Sequence, residues 1–152
     1  MNEDRQSSNV LYTIGYEGRS LDEFVACLKS SSVTVVVDIR ELPLSRKRGF
    51  SKSPLKERLE QEGLSYLHIR ELGSPREIRN KLHENQDYQS FFESFVEYLG
   101  SKTDAIERVY EFAFDSICCL MCYERDADHC HRSVVAQKII ERDNNGLSVV
   151  NI

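Results

Sequence analysis

The sequence has no tryptophan and only three prolines and two methionines among its 152 residues. It has no apolar run near the roughly 18 residues that a membrane-spanning helix needs. The N-terminal residues are polar and lack the apolar core of a secretory signal. Hydrophobic residues make up 40% and charged residues 30%, a balance typical of globular proteins. We therefore expect a cytoplasmic protein with no membrane partner, with a flexible N-terminus over residues 1–9 and a single α/β domain over residues 10–152.

The cysteines do not form the pattern of a secreted disulfide framework. Their number, five, is odd, and three of them are crowded together as Cys118, Cys119 and Cys122. Small secreted domains more often carry an even number of cysteines spread along a shorter chain. Reduced thiols in a reducing compartment fit this pattern better.

The charge is distributed unevenly along the chain. The formal net charge is −5, yet residues 40–58 contain seven basic and two acidic residues. This segment alone therefore carries +5 and the remainder of the chain −10. Such an asymmetry argues against a protein that coats nucleic acid with its whole surface, and it favours one local surface for anions.

Apolar runs alternate with amphipathic segments along most of the chain. The runs predict strands over residues 10–14, 33–39, 64–69, 116–122 and 147–152. Helices are predicted to begin near Ser20, Ser53, Asp87, Ala105 and Ser133. The run over 33–39 is almost entirely β-branched, as expected for a strand buried on both faces of a parallel sheet. The pattern predicts an α/β fold, a Rossmann-like three-layer sandwich with a mostly parallel sheet of about five strands flanked by helices.

Candidate site residues lie at the ends of the first two predicted strands, where parallel sheets usually bind ligands. Gly15 closes the first strand at a turn. Asp38 and Arg40 would share one face of the second strand, because side chains alternate along a strand. They form either a local charge pair or an arginine that binds an anion and is oriented by a carboxylate.

A basic loop follows the second strand and includes Ser45, Arg46 and Phe50. Its three consecutive cations, residues 46–48, could track phosphate groups while Phe50 stacks on a base. A solvated basic loop without a ligand is the alternative interpretation.

The densest group of reactive residues follows the fourth predicted strand. Arg132 and His131 lie at the start of a helix, where an anion is favoured. Cys122 or Cys130 could act as a nucleophile there, and Glu124 as a general base. The alternative is a capped helix without chemistry.

A metal site is a second interpretation of the same group. Zinc ligation through Cys119 and Cys122 is disfavoured, because residues three apart on a strand point to opposite faces. The reduced set of Cys122, Cys130 and His131, with His129 nearby, remains as an alternative metal site.

Five blocks of sequence together resemble the family named domain of unknown function 488. They are TIGYEGRSLDEF, VVDIRELPLSRKRGF, GLSYLHIRELG, LMCYERDADHCHRS and the terminal VVNI. The resemblance implies a small Rossmann-like domain, mostly bacterial and archaeal, without an established reaction. It also implies shared polar positions at Gly15, Asp38, Arg40, Pro43, Ser45, Arg46, Phe50, His68, Cys122, Glu124, Cys130, His131 and Arg132. A looser similarity to rhodaneses rests on the Asp-x-Arg strand end and the cysteine loop, although ten positions separate Cys122 from Arg132.

The sequence thus predicts a cleft at the strand ends that binds a phosphate-bearing partner, either a nucleotide or a nucleic acid. Arg40 and Arg132 are expected to face this cleft together, with hydrolase or transferase chemistry carried by Glu124, Cys122 or Cys130. No cofactor is expected, the alternative being a metal ion on the Cys/His set. Two further alternatives are a non-catalytic nucleic-acid-binding module that uses the basic loop over 46–58 and a rhodanese-like thiol protein.

Overall fold

Five parallel strands form the central layer of the structure, a computed structural model that describes residues 10–143 and 146–152. The strands are β1 (Val10–Gly15), β2 (Val35–Asp38), β3 (Ser65–His68), β4 (Cys118–Cys122) and β5 (Ser148–Asn151). Their order across the sheet is β3-β2-β4-β1-β5, and each neighbouring pair is parallel. The segment expected to be flexible, residues 1–9, lies outside the described residues.

Helices cover both faces of this sheet. They are α1 (Leu21–Ser30), α2 (Lys52–Gln61), α3 (Arg76–Asn85), α4 (Tyr88–Leu99), α5 (Thr103–Asp115) and α6 (Arg132–Arg142). Buried residues of α1 and α2 pack on one face, and those of α4, α5 and α6 pack on the other. The predicted three-layer α/β sandwich is therefore confirmed, with a sheet that is parallel throughout.

Strand β4 lies in the middle of the sheet and is buried along its whole length. Because side chains alternate along a strand, Cys118, Leu120 and Cys122 join the core under α4, α5 and α6. Cys119 and Met121 join the core under α1 and α2. Cys119 and Cys122 thus point to opposite faces of the sheet, so they cannot bind one metal ion together.

Two of the predicted helix starts are capped by a side chain. The Ser20 side chain accepts a hydrogen bond from the Glu23 backbone N–H at 3.1 Å, and α1 buries Phe24, Val25 and Leu28. At the start of α4, the Asp87 side chain accepts from the Ser90 backbone N–H at 3.1 Å. Side-chain acceptors at these positions satisfy N–H groups that the helix leaves without intrahelical partners.

Several element boundaries differ from the sequence prediction. Helix α2 begins at Lys52, one residue before the predicted start at Ser53, with Ser51 as its N-cap and Pro54 in its first turn. Helix α3 was not predicted, since its sequence has only two apolar residues, Ile78 and Leu82, and neither is buried in the structure. In the described ranges, 10–143 and 146–152, no helix combines the length and the apolar character needed to cross a membrane.

Candidate functional site

A cleft of about 390 Å³ opens at the carboxyl ends of the strands. Its lining comes from the segments that follow β1, β2, β3 and β4, and from the start of α6. A second cavity of about 330 Å³ adjoins it and shares Ser74, Arg79, Glu124 and His131 with it. The predicted location of the site, at the strand ends, therefore coincides with a real concavity of a size that suits a small molecule.

Gly15 lets two segments at the cleft approach each other closely. A Cβ atom at this position would overlap the backbone carbonyl of Glu124. The pairing continues beyond β1, since the Tyr16 N–H donates to the Cys122 carbonyl at 3.2 Å and the Glu17 N–H to the Tyr123 carbonyl at 2.9 Å. Glycine is thus required at position 15, because the segment that carries Glu124 packs directly against its backbone.

Asp38 and Arg40 form a buried ion pair below the cleft. Arg40 donates to both carboxylate oxygens of Asp38, from Nε at 2.9 Å and from Nη2 at 2.7 Å. Its Nη1 donates to the Phe50 carbonyl at 2.7 Å and to the Tyr16 hydroxyl at 3.3 Å. Burial alone would lower the pKa of Arg40, but the hydrogen bonds and charge of Asp38 raise it. Arg40 lines the cleft, but its guanidinium already donates hydrogen bonds to protein acceptors.

Arg132 lies beneath the cleft and is fully buried. Its Nε donates to the Thr13 hydroxyl at 3.1 Å, its Nη2 to the Arg125 carbonyl at 2.9 Å, and its Nη1 to the Glu124 carbonyl. Nη1 also lies 3.1 Å from the Cys122 sulfur. Arg132 is absent from the lining of the cleft. The expectation that Arg40 and Arg132 jointly face one cleft is therefore wrong for Arg132, because its guanidinium is occupied by Thr13 of β1 and by the loop after β4.

Cys122, Cys130 and His131 converge at the start of α6. Their ligand atoms, the two sulfurs and one imidazole nitrogen, all lie within 4.8 Å of one another, and all three residues are buried. The two sulfurs are in direct contact, while the Cα atoms of Cys122 and Cys130 are 7.7 Å apart. The His131 Nδ1 lies 3.7 Å from the Cys130 sulfur. The sequence alternative of a three-residue Cys/His cluster thus matches a cluster in the structure.

His131 is held in one tautomer by the backbone. Its Nε2 lies 2.8 Å from the carbonyl oxygen of Ile39, and a carbonyl can only accept, so Nε2 carries the proton. Burial lowers the pKa of His131 to about 4, so the ring is neutral at neutral pH. The lone pair of Nδ1 is then free on the side of the two sulfurs.

Glu124 lines both cavities and is partly buried. Burial raises the pKa of this carboxyl above its ordinary value. Within the described part of the chain it forms no salt bridge. Of the three catalytic candidates named from the sequence, Glu124 is the one that lines both cavities.

Three predicted ligand-binding residues support the chain around the site. Phe50 is fully buried and stacks on Tyr16 with ring centroids 4.5 Å apart, so it has no free face for a base. His68 donates from Nε2 to the Arg40 carbonyl at 2.7 Å and lies outside the lining. The Ser45 hydroxyl accepts from the Lys47 N–H at 3.0 Å, although Ser45 does line the cleft.

Arg46 and Arg79 are the cations at the mouth of the cleft. Arg46 is exposed and makes no side-chain hydrogen bond or ion pair with any residue that the structure describes. Arg79 lies on α3, donates to the Ser74 carbonyl at 2.6 Å and lies 3.4 Å from a Glu41 oxygen. Sequence reasoning missed Arg79, since nothing in the polar segment around it indicates which of its arginines faces the sheet.

The family model described as Domain of unknown function DUF488 matches residues 20–139 of this chain. No curated protein and no solved structure matches this chain significantly. The match covers most of the chain and includes α1, the basic loop, β4 and the start of α6. The chain therefore belongs to the DUF488 family.

Proposed function

We propose that this member of the DUF488 family binds a phosphate-bearing small molecule in the cleft at the strand ends. The observation that carries the proposal is the pair of guanidinium groups of Arg46 and Arg79, which come from different segments and line one cleft of about 390 Å³. Guanidinium groups suit phosphate because their planar donors match its oxygens in a bidentate way.

The charges below and around the cleft leave Arg46 as its available cation. Arg40 is neutralised by Asp38, with which it shares two hydrogen bonds. Arg79 forms an ion pair with Glu41, their charged atoms being 3.4 Å apart. Arg46 has no partner among the described residues. The carboxylates of Glu41 and Glu124 also line the cleft and match Arg46 and Arg79 in number. An anion would therefore be held by direct contact with the unpartnered Arg46 guanidinium and not by a net positive charge of the cleft.

The size of the cleft favours a small ligand over a nucleic acid. Ligand pockets typically enclose about 300–1,000 Å³, and this cleft falls within that range. Binding of a single strand usually combines a basic groove with aromatic rings on which bases stack. Here Phe50 is buried, and the Lys47 ammonium donates to the Tyr16 carbonyl at 3.2 Å.

Glu124 is the residue that we propose for proton transfer to or from a bound ligand. It lines the cleft beside Arg79 and makes no salt bridge with a described residue. A carboxylate in this position suits hydrolase or transferase chemistry on a phosphate-bearing ligand. Replacement of Glu124 by Gln should therefore leave ligand affinity within about threefold of wild type, while abolishing turnover of any compound the protein converts.

The test is calorimetric titration with inorganic phosphate, nucleoside mono- and diphosphates and a short oligonucleotide, each at low and moderate salt. We expect a nucleotide to bind with modest salt dependence, and Arg46→Gln to weaken it by roughly tenfold, because a charged hydrogen bond contributes about 1.5–3 kcal/mol. Arg48→Gln is the matched control, since Arg48 is exposed in the same loop but does not line the cleft.

Two results would contradict the proposal. One is the absence of binding by phosphate and both nucleotides. The other is equal weakening by Arg46→Gln and Arg48→Gln together with a steep loss of oligonucleotide affinity in salt, which would indicate a nucleic-acid surface along the loop.

A further inference from the structure

We propose that Cys122, Cys130 and His131 bind one transition-metal ion of the zinc class beneath the cleft. This site uses none of the residues that carry the anion-binding proposal, and each proposal can fail without the other. Cys122 and His131 also line the cleft, so the ion would have one side turned toward it.

The ligand atoms lie near enough to share such an ion once the two sulfurs, which are in contact, move apart. The two sulfurs and the imidazole nitrogen all lie within 4.8 Å of one another. Tetrahedral zinc has bonds of about 2.3 Å to sulfur and about 2.0–2.1 Å to nitrogen, which puts its ligand atoms roughly 3.5–3.8 Å apart. Two thiolates and one imidazole are a set that zinc accepts, with the fourth position left to water or to a ligand.

The surroundings of His131 resemble the outer shell of metal-binding histidines. Such histidines almost always donate their second ring N–H to a carboxylate, a backbone carbonyl or water, which fixes the orientation of the ring. Here the Nε2–H donates to the Ile39 carbonyl at 2.8 Å. The remaining nitrogen, Nδ1, is the atom beside the Cys130 sulfur, 3.7 Å away.

The charge of Arg132 gives an independent reason for thiolates at this place. Arg132 is fully buried and forms no salt bridge with a carboxylate of the described residues. A buried charge needs a compensating charge nearby. The Cys122 sulfur lies 3.1 Å from its Nη1, and the Arg132 backbone N–H lies 3.5 Å from the Cys130 sulfur. Two thiolates that share a divalent ion supply this compensation in the buried cluster.

A disulfide between Cys122 and Cys130 is the competing interpretation of the contact between their sulfurs. Disulfides usually span Cα–Cα distances of about 4.4–6.8 Å, and this pair stands 7.7 Å apart. A disulfide would also leave Arg132 with no negative atom in direct contact among the described residues, because a bridged sulfur carries no charge and the Glu124 carboxylate acts on it only from beyond salt-bridge distance. Both observations favour two thiolates around an ion.

The first experiment measures zinc, iron and cobalt in protein purified without a histidine tag, followed by titration of the metal-free protein with Co²⁺. We expect one equivalent of metal and a thiolate-to-cobalt charge-transfer absorption. Cys130→Ser and His131→Gln should each weaken Co²⁺ binding by at least a hundredfold. Cys27→Ser is the control and should bind as wild type does, since Cys27 is a free cysteine outside the cluster.

Thiol counting on the wild-type protein keeps the test decisive where a variant fails to fold. With metal bound, Cys122 and Cys130 should resist alkylation in the folded protein, and a chelator should make both reactive without any reductant. Protection of the same two cysteines that ends only with a reductant would show a disulfide and overturn the proposal. Five free thiols without metal, or metal binding that Cys130→Ser and His131→Gln leave intact, would overturn it as well.

Discussion

The floor and the rim of the cleft use arginine in opposite ways. We define the floor as Asp38, Arg40, Cys122, Cys130, His131 and Arg132, and the rim as Leu42, Leu44, Arg46, Arg79 and Tyr123. On the floor, Arg132 is fully buried and Arg40 is 7% exposed, and their donors are occupied by oxygen and sulfur atoms of the protein. On the rim, Arg46 has no partner among the described residues, and Leu44 is 72% exposed.

This difference separates residues that hold the site from residues that are free to bind. A buried guanidinium with all its donors occupied has little left for a ligand, and its removal leaves acceptors unsatisfied. An exposed guanidinium contributes little to folding but keeps its donors available. Stability should therefore be sensitive to substitutions on the floor, and affinity to substitutions on the rim.

The largest expected effect is that of Arg132→Met. Methionine preserves much of the volume but leaves the carbonyls of Glu124 and Arg125 and the Cys122 sulfur without their donor. Removing one member of a buried charged network typically costs about 3–5 kcal/mol. Urea denaturation should show a loss of that size in the free energy of unfolding. A loss below about 1 kcal/mol would mean that Arg132 does not anchor the loop after β4.

Gly15→Ala should have the next largest effect on stability. The new methyl group would overlap the Glu124 carbonyl, so β1 or the loop after β4 must move. We expect a loss of about 3 kcal/mol, at the upper end of overpacking costs. Gly63→Ala is the control, since Gly63 has open space around it and a φ of +84°. That backbone strain alone should cost about 1–2 kcal/mol, and equal losses for both variants would contradict the close approach at Gly15.

The fold could be predicted from the sequence where local signals determine it. Strand β2 is indicated by its β-branched residues, and the start of α1 by Ser20 and Glu23. Helix α3 could not be predicted, because it packs mainly against α4 without burying a residue. Its position is what brings Arg79 to the cleft.

The sequence indicates which residues lie at the strand ends, but not which of their side chains are buried. The predicted strand ends place Arg40, Cys122 and Glu124 around one cleft, with Asp38 bound to Arg40. Which of these side chains are buried and which are accessible depends on tertiary packing. Phe50 shows this, since its position in an exposed basic loop suggested a free ring, whereas it is buried against Tyr16.

Arg40→Lys should have a moderate effect on stability and almost none on affinity. Lysine keeps the charge beside Asp38 but cannot also reach the Phe50 carbonyl and the Tyr16 hydroxyl in the same planar arrangement. We expect a loss of about 1–2 kcal/mol in the free energy of unfolding. Phosphate and nucleotide affinity, measured by calorimetry, should stay within about twofold of wild type. A tenfold loss of affinity would show that Arg40 binds the ligand directly.

Arg79→Gln should have the smallest effect on stability and a clear effect on binding. Arg79 is partly exposed, and its ion pair with Glu41 at 3.4 Å is of the kind that contributes about 0–1 kcal/mol. Its hydrogen bond to Ser74 adds a further contact that glutamine does not reproduce in the same geometry. We therefore expect thermal unfolding to shift only slightly, while nucleotide affinity falls by roughly tenfold.

Arg76→Gln is the matched control for Arg79→Gln, because Arg76 lies on the same helix, is exposed and does not line either cavity. If both variants lose affinity equally, the effect of Arg79 comes from general positive charge on α3 and not from contact in the cleft. If Arg79→Gln unfolds the protein while Arg76→Gln does not, Arg79 belongs with the floor, because its bond to Ser74 then stabilises the segment between β3 and α3. Only a loss of affinity confined to Arg79→Gln, with stability retained, agrees with a rim residue that binds the ligand directly.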